Sequence, residues 1–319
     1  MASLLKHTVK PSGGDFTSLD ACLDHIAASH ANLVTADVYA LVEIDGTWTS
    51  PDTAACTTNG ITSDATHYLS IYTTAAARHD GKWNTGAYNL LVADATAFTY
   101  RGGADCRLDG LQIGLSSASD HSQACVYATA LSAGSSLRVS NCILKQAGNA
   151  SYRCPTLFLN DADLTAYVWN TIGYGMGALD HAANSCVYIV AATGLNLRSS
   201  VFIGGKYAIA SYSGAHTAKN VYCGGSITED FYRNTGTLAK TNCASEDQSA
   251  DDTSGADETA TNCVAAAVPY STDTFTNVTA GSEDFHLVDG SALIGAGVDT
   301  SGESAPLNFT TDIEGDERS

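Results

Sequence analysis

Apolar residues along this chain come in short runs. VYALVEI (38–44), HYLSIY (67–72), NLLVADA (89–95), CVYATAL from Cys125, CPTLFL from Cys154 and CVYIVA from Cys186 are each set off by polar turns rich in Gly, Ser and Asn. Runs of this length, rich in Val, Ile and Tyr, predict strands. One segment has a different period. In GGDFTSLDACLDHIAASHANL (13–33), Leu19, Cys22, Leu23 and Ile26 fall on one face of a helix that Thr17 or Ser18 would open. A short N-terminal helix is therefore expected, placed to cover the end of whatever the strands build.

The strand-like runs repeat. RLDGLQI (107–113), RVSNCIL (138–144), YVWNTIG (167–173), LRSSVFI (197–203), AKNVYCG (218–224), KTNCAS (240–245) and ATNCVA (260–265) align on Gly110, Asn141, Asn170, Ser199, Asn220, Asn242 and Asn262. The spacings are 31, 29, 29, 21, 22 and 20 residues, and Asn277 in FTNVT follows after only 15. The next residue is small or apolar each time: Leu111, Cys142, Thr171, Ser200, Val221, Cys243 and Cys263. A second series, starting at Cys125, Cys154 and Cys186, runs in phase at intervals of 29 and 32.

Asn is disfavoured inside a strand but tolerates the left-handed conformation, so a recurring Asn between two apolar runs marks a corner. A period of 20 to 30 residues with several short strands points to a solenoid of stacked coils. No Leu lattice or helical period supports the alternative repeat types. The expected fold is all-β, a parallel β-helix whose corner residues stack as a structural Asn ladder: Asn141, Asn170, Asn220, Asn242 and Asn262. Stacked amides are expected to hydrogen-bond from coil to coil. The expected organisation is an arm and capping helix over 1–35, coils over 36–265, and a final coil, cap and tail over 266–319.

The order GGDFTSLDACLDHI, then VEIDGTW, then the x-N-C-x coils, then DFHLVDGSALIGAGVDTSG and TDIEGDERS resembles right-handed parallel β-helix proteins of the pectin-lyase-like superfamily. The closing stretch resembles a tail common in bacterial and phage members. The resemblance spans nearly the whole chain. It implies the right-handed solenoid but no particular activity, because this fold hosts many functions.

Charge narrows the functions. A formal charge of -19 repels phosphate backbones and anionic lipid, so neither nucleic acid nor a membrane surface is an expected partner. No apolar stretch is long enough to span a membrane, and MASLLKHTVKPSGG carries no signal-peptide core, so synthesis in a cytosol is expected. The ten Cys form no CxxC pair and sit mostly in apolar runs, which predicts buried free thiols.

Candidate chemistry is sparse. Asp120-His121 and Asp180-His181 recur 60 residues apart, two coils on, and an Asp-oriented His is a possible general base. Arg153 and Lys145 are mid-solenoid cations. Arg107, Arg138 and Arg198 fall near one repeat position and are expected as an outward, solvated row. Tyr127, Trp169, Tyr188 and Tyr207 are either strand residues or a stacking surface for a sugar. Two acidic stretches offer Ca²⁺ ligands without the alternating EF-hand spacing: Asp161 and Asp163 in NDAD, and Asp251 and Asp252 in SEDQSADDTSGADE. No cofactor is expected apart from a possible Ca²⁺.

In polygalacturonase-type relatives the resemblance implies NTD, DD, GHG and RIK motifs. Asp251-Asp252 is the only DD here, and GHG and RIK are missing. The expected function is therefore non-enzymatic: a structural protein of a virion surface, such as a bacteriophage capsid decoration, spike or fibre protein. It would be made in the host cytoplasm, assembled as a homo-oligomer (a trimer by fold analogy) and held to other virion proteins such as a capsid protein. The alternative is a polysaccharide lyase or glycoside hydrolase, a tailspike-like depolymerase acting on a cell-surface glycan, virion-borne or extracellular.

Overall fold

A computed structural model describes residues 2–117, 123–146, 154–177, 179–181, 183–253 and 257–317. The chain winds as a right-handed parallel β-helix with three parallel sheets. The first sheet has ten strands, from Ser3–Val9 and Val38–Ile44 through Asp105–Asp109, Ser135–Ser140, Leu164–Trp169, Gly194–Arg198, Ala215–Lys219 and Thr237–Thr241 to Glu258–Thr261. The second has seven, from Asn89–Ala93 to Ala244–Ser245, and the third seven, from Cys56–Thr57 to Glu229–Arg233. Residues 3–9, expected as an arm, already form the first rung.

The predicted helix is Leu19–Ser29, opened by Ser18, whose hydroxyl accepts from the Ala21 amide at 3.3 Å. It buries Leu19, Cys22, Leu23 and Ile26 over the open end of the coils. Buried Asp52 fastens it there, accepting from the Leu19 amide at 2.8 Å and the Tyr88 hydroxyl at 3.2 Å.

From the strand Asp105–Asp109 onward, each first-sheet strand ends on one left-handed residue. Gly110, Asn141, Asn170, Ser199, Asn220, Asn242 and Asn262 all have φ between 48° and 76°. The backbone ladder continues through the corner. The Asn141 amide bonds the Trp169 carbonyl one coil on, Asn170 bonds Arg198, Ser199 bonds Lys219, Asn220 bonds Thr241 and Asn242 bonds Thr261. The corner amide is thus paired although the chain bends there, which is why a one-residue corner is tolerated in a buried ladder. The following residues, Leu111, Cys142, Thr171, Ser200, Val221 and Cys243, are buried in the interior. Asn277 is outside this series. It lies in an antiparallel hairpin, Phe275–Asn277 with Asp284–Leu287.

The shortening of the period comes from the link between the second and third sheets. That link covers 118–125, 147–156 and 175–184 in the long coils, but only 204–206 and 225–228 in the short ones. Gly205 makes the tightest of these turns possible, because at φ 89° a side chain there would overlap the Asn184 carbonyl. In the third sheet the register pairs Val126 with Leu157 and Leu157 with Val187. Cys125, Thr156 and Cys186 are thus the equivalent residues, and Cys154 lies two positions upstream of the place its sequence spacing suggested.

Beyond the last coil the chain turns back instead of ending. Val268, Phe275 and Phe285 pack onto the outer side of the second sheet against Ile143, Ile172, Tyr174, Ile203 and Tyr222. This gives a second apolar core outside the solenoid. Among the described residues, no helix is long and apolar enough to cross a membrane.

Gly110 breaks the ladder because the Arg78 guanidinium fills the space its side chain would need, while bonding Asp109. Restoring the consensus with Gly110→Asn should therefore destabilise the protein, by about 1–3 kcal/mol from overpacking. Chemical denaturation of the variant against wild type measures this.

Candidate functional site

Clefts open on the solenoid among the described residues. One, of about 220 Å³, lies on the outer face of the second sheet and is lined by Trp83, Leu91, Leu115, Ser116 and Lys145. The Trp83 indole lies against Gly114, where even a Cβ would come 3.0 Å from the ring. The Lys145 ammonium sits 5.5 Å from the Trp83 ring, 5.2 Å from that of Tyr174 and 3.7 Å from the Glu283 carboxylate. The cleft pairs an aromatic wall with one cation already facing a carboxylate.

Another cleft, of about 380 Å³, is at the C-terminal end and is lined by Glu229, Asp247, Gln248, Ser249 and Asp252. Here the third sheet ends on Glu229–Arg233, and the loop that follows takes the place of the next strand. Asp247 accepts from the Asp230 amide at 2.9 Å and Ser249 from the Phe231 amide at 3.0 Å, so side chains pair the exposed strand edge. Asp230 in return accepts from the amides of Glu246 at 2.9 Å and Asp247 at 3.3 Å. Burial and the neighbouring Asp247 push its carboxyl up to about 6. Burial, then the charges of Asp247 and Glu258, push Glu229 up to about 7.

Beneath them Lys240 is wholly buried. Its ammonium donates to the carbonyls of Ser249 at 2.7 Å and Asp252 at 2.9 Å and to Glu258 at 3.2 Å. Lys240 occupies the inward rung held by Leu108, Val139, Val168, Leu197 and Ala218 in earlier coils. That departure was visible in the aligned repeat, two residues before each corner.

The corner ladder itself is only partly an Asn-to-Asn array. The Asn170 amide donates to the Asn141 side chain at 3.0 Å, and Asn141 donates to Asp109 at 2.6 Å. Past that point the amides serve the C-terminal tail. Asn170 also donates to the Thr311 carbonyl at 2.8 Å, Asn242 donates to Ala296 at 3.1 Å, and Asn220 exchanges two bonds with Val298. The tail thus runs back along the ladder, and Phe309 lies over Trp169 with ring centroids 6.1 Å apart. Glu303 anchors its middle, taking Arg198 at 2.9 Å and Lys219 at 2.5 Å. Burial opposes ionisation of Glu303, but the bonds from Lys219 and Arg198 outweigh it and hold its carboxyl below the ordinary range.

The predicted site residues are dispersed. Asp120, His121 and Arg153 lie outside the described residues. Asp180 is exposed and pairs with Lys206 at 2.8 Å, while His181 Nδ1 accepts from the Ala183 amide in its own turn. Asp161 accepts from the amides of Leu131 at 2.7 Å and Asp163 at 3.0 Å, so it shapes a turn. Asp251 and Asp252 sit in the end loop. Among the described residues, a group of three carboxylates with oxygens within 4.8 Å of one another is formed instead by Asp312, Glu314 and Asp316. A divalent ion would find its ligands there. Asp312 meanwhile accepts from the amides of Glu314 and Asp316, and Glu314 bonds His286.

The expected arginine row is not one row. Arg107 and Arg138 are in register, but Arg198 aligns with Trp169, two positions further along the strand. Nor are these side chains free cations. Arg107 stacks 3.3 Å above the Tyr68 ring and shares buried Asp105 with Arg138, and Arg198 is spent on the tail. Of the aromatics, Tyr127 stacks on Phe158 at 4.6 Å, Phe158 meets Tyr188 at 5.2 Å, and Tyr207 stacks on Tyr232 at 4.0 Å. Trp169 lies apart, on the first sheet. Stacked rings offer one another their faces and solvent mainly their edges, as cross-strand pairs do.

No protein-family model, curated protein or solved structure matches the chain.

Two outcomes follow from the charges. A carboxyl raised in the folded state binds its proton more tightly there than in the unfolded chain. Glu229 therefore contributes fully to folding below its ordinary 4.5 and loses that contribution as pH rises from there through about 7. Glu229→Gln should raise stability at pH above that window, by about 1 kcal/mol after solvent screening, and change little at its acid end. Thermal melts across pH read this out. Glu303 has the opposite sign. Its pairing is present above its ordinary 4.5 and is lost as pH falls through its lowered value. Glu303→Gln should cost about 1–2 kcal/mol and make residues 296–311 the first site of limited proteolysis.

Proposed function

We propose that this chain is a non-enzymatic structural protein of a virion surface: a capsid decoration, spike or fibre protein of a bacteriophage, built on the parallel β-helix. The observation that carries the reading is how the polar side chains are used. At the C-terminal end, Asp230, Asp247 and Ser249 pair the edge of the third sheet and Lys240 plugs the interior. Along the sides, the arginines are held by Asp105 and Glu303, and the corner amides hold the tail. Charge that could act on a substrate goes into closing a rod, which is what an extracellular scaffold needs. The strongly acidic composition suits such a role, and the proposal includes assembly as a homotrimer and attachment to a capsid protein.

One observation favours a second reading, a depolymerase acting on a surface glycan. Glu229 and Asp230, with carboxyls raised to about 7 and about 6, stand at a cleft, and such groups are candidates for acid–base work.

Light-scattering mass on the purified protein, with a polysaccharide panel assayed for new reducing ends and unsaturated products, separates the two. A stable trimer that turns over no glycan is expected. A monomer that cleaves one glycan and loses that activity in Glu229→Gln would overturn the structural reading.

A further inference from the structure

The corner ladder places two thiols side by side at the C-terminal end of the solenoid. The strands Thr237–Thr241 and Glu258–Thr261 pair in parallel with Thr241 opposite Thr261, so Cys243 and Cys263, each two residues on, are equivalent positions of adjacent coils. The Val264 amide bonds the Cys243 carbonyl at 2.9 Å, which holds that register past the corner. In-register neighbours sit about 4.8 Å apart with parallel Cα–Cβ directions. That lies inside the roughly 4.4–6.8 Å window of Cα separations a disulfide requires. Each thiol donates to the carbonyl two residues before it, Cys243 to Thr241 at 3.4 Å and Cys263 to Thr261 at 3.8 Å, so the two side chains are set alike on their coils. In the earlier coils the same position carries Leu111, Cys142, Thr171, Ser200 and Val221, so at this position thiols fall on adjacent coils only in the last two.

The two differ in access. Cys243 is wholly buried, and Cys263, on the final coil, is half-buried, whereas the other eight cysteines are buried.

We propose that Cys243 and Cys263 are a redox-active pair that closes into a disulfide across the last two coils, a modification site that clips the C-terminal end of the solenoid. The oxidant is a small disulfide such as oxidised glutathione. The Cys263 thiolate attacks one of its sulfurs and expels a glutathione thiolate, leaving a mixed disulfide. Cys243 then gives up its proton and attacks the Cys263 sulfur, expelling the second glutathione. Two electrons pass to the oxidant, which leaves as two reduced molecules carrying the two thiol protons. The neighbouring Cys243 thiol is the main reason the Cys263 thiol is pushed down to about 6, which supplies the attacking thiolate at neutral pH. On the virion reading, on which this one point rests, the clip closes when the particle leaves a reducing cytosol.

The full-length protein, reduced and then incubated with oxidised glutathione near neutral pH, tests this without reference to particles or glycans. Before oxidation, a maleimide added to the native protein should label one thiol quickly, and that labelling should vanish in Cys263→Ser. After oxidation, eight of the ten thiols should remain when counted in denaturant. Unreduced peptide mapping should join the peptides of Cys243 and Cys263, and the melting temperature should rise. A stable glutathione adduct on Cys263 with Cys243 still free would overturn the proposal, as would ten unchanged thiols or a crosslink elsewhere. Should Cys263→Ser fail to fold, the mapping of the oxidised wild type decides alone.

Discussion

From Gly110 onward the coils of this protein depend on one residue in the left-handed conformation at the end of each first-sheet strand. For most side chains that conformation costs on the order of 1–2 kcal/mol, and Asn and Gly bear it best. It turns the chain sharply without interrupting hydrogen bonding, since the corner amide still reaches the carbonyl of the next coil. Because the same residue bends each coil by the same amount, successive strands fall into register on both sides of the corner. Three long parallel sheets and a single interior column of apolar side chains follow from that repetition.

A stack of coils leaves two ends and many outward polar groups to be dealt with. At the N-terminal end the solution is apolar, a helix lying on the coils and tied by Asp52. At the C-terminal end it is polar. Acidic side chains pair the amides of the last third-sheet strand, and a buried lysine neutralises part of the resulting charge. The polar solution is incomplete electrostatically, which is why Glu229 and Asp230 hold their protons so far above the usual carboxylate range.

The segment after the last coil binds two surfaces of the solenoid at once. Its hairpin covers the outer face of the second sheet with aromatic residues, and its tail lies along the corner ladder. The Asn side chains thereby serve twice, through a backbone conformation that shapes the coil and an amide that holds the tail. Glu303 adds an ionic fastening between two coils, through Arg198 and Lys219. The exterior is as deliberately occupied as the interior, and Arg107, Arg138 and Arg198 on the sides of the rod all have acidic partners.

The sequence by itself determined the repeat, the corner residues, the inward neighbours that follow them and the capping helix opened by Ser18. Those features are local: a left-handed corner needs a particular residue type, and an amphipathic helix needs a particular spacing. Even the odd Lys240 was legible from the register. Only the tertiary structure decided where the tail goes, because Ala296, Val298 and Thr311 present backbone carbonyls and amides that carry no residue signature. It also decided that Arg198 serves Glu303, more than a hundred residues away, while Arg107 and Arg138 share Asp105. The candidate chemistry was the least legible part. Glu229 is an unremarkable acid in the sequence, and its high proton affinity arises from burial beside carboxylates that only the folded end of the solenoid brings together.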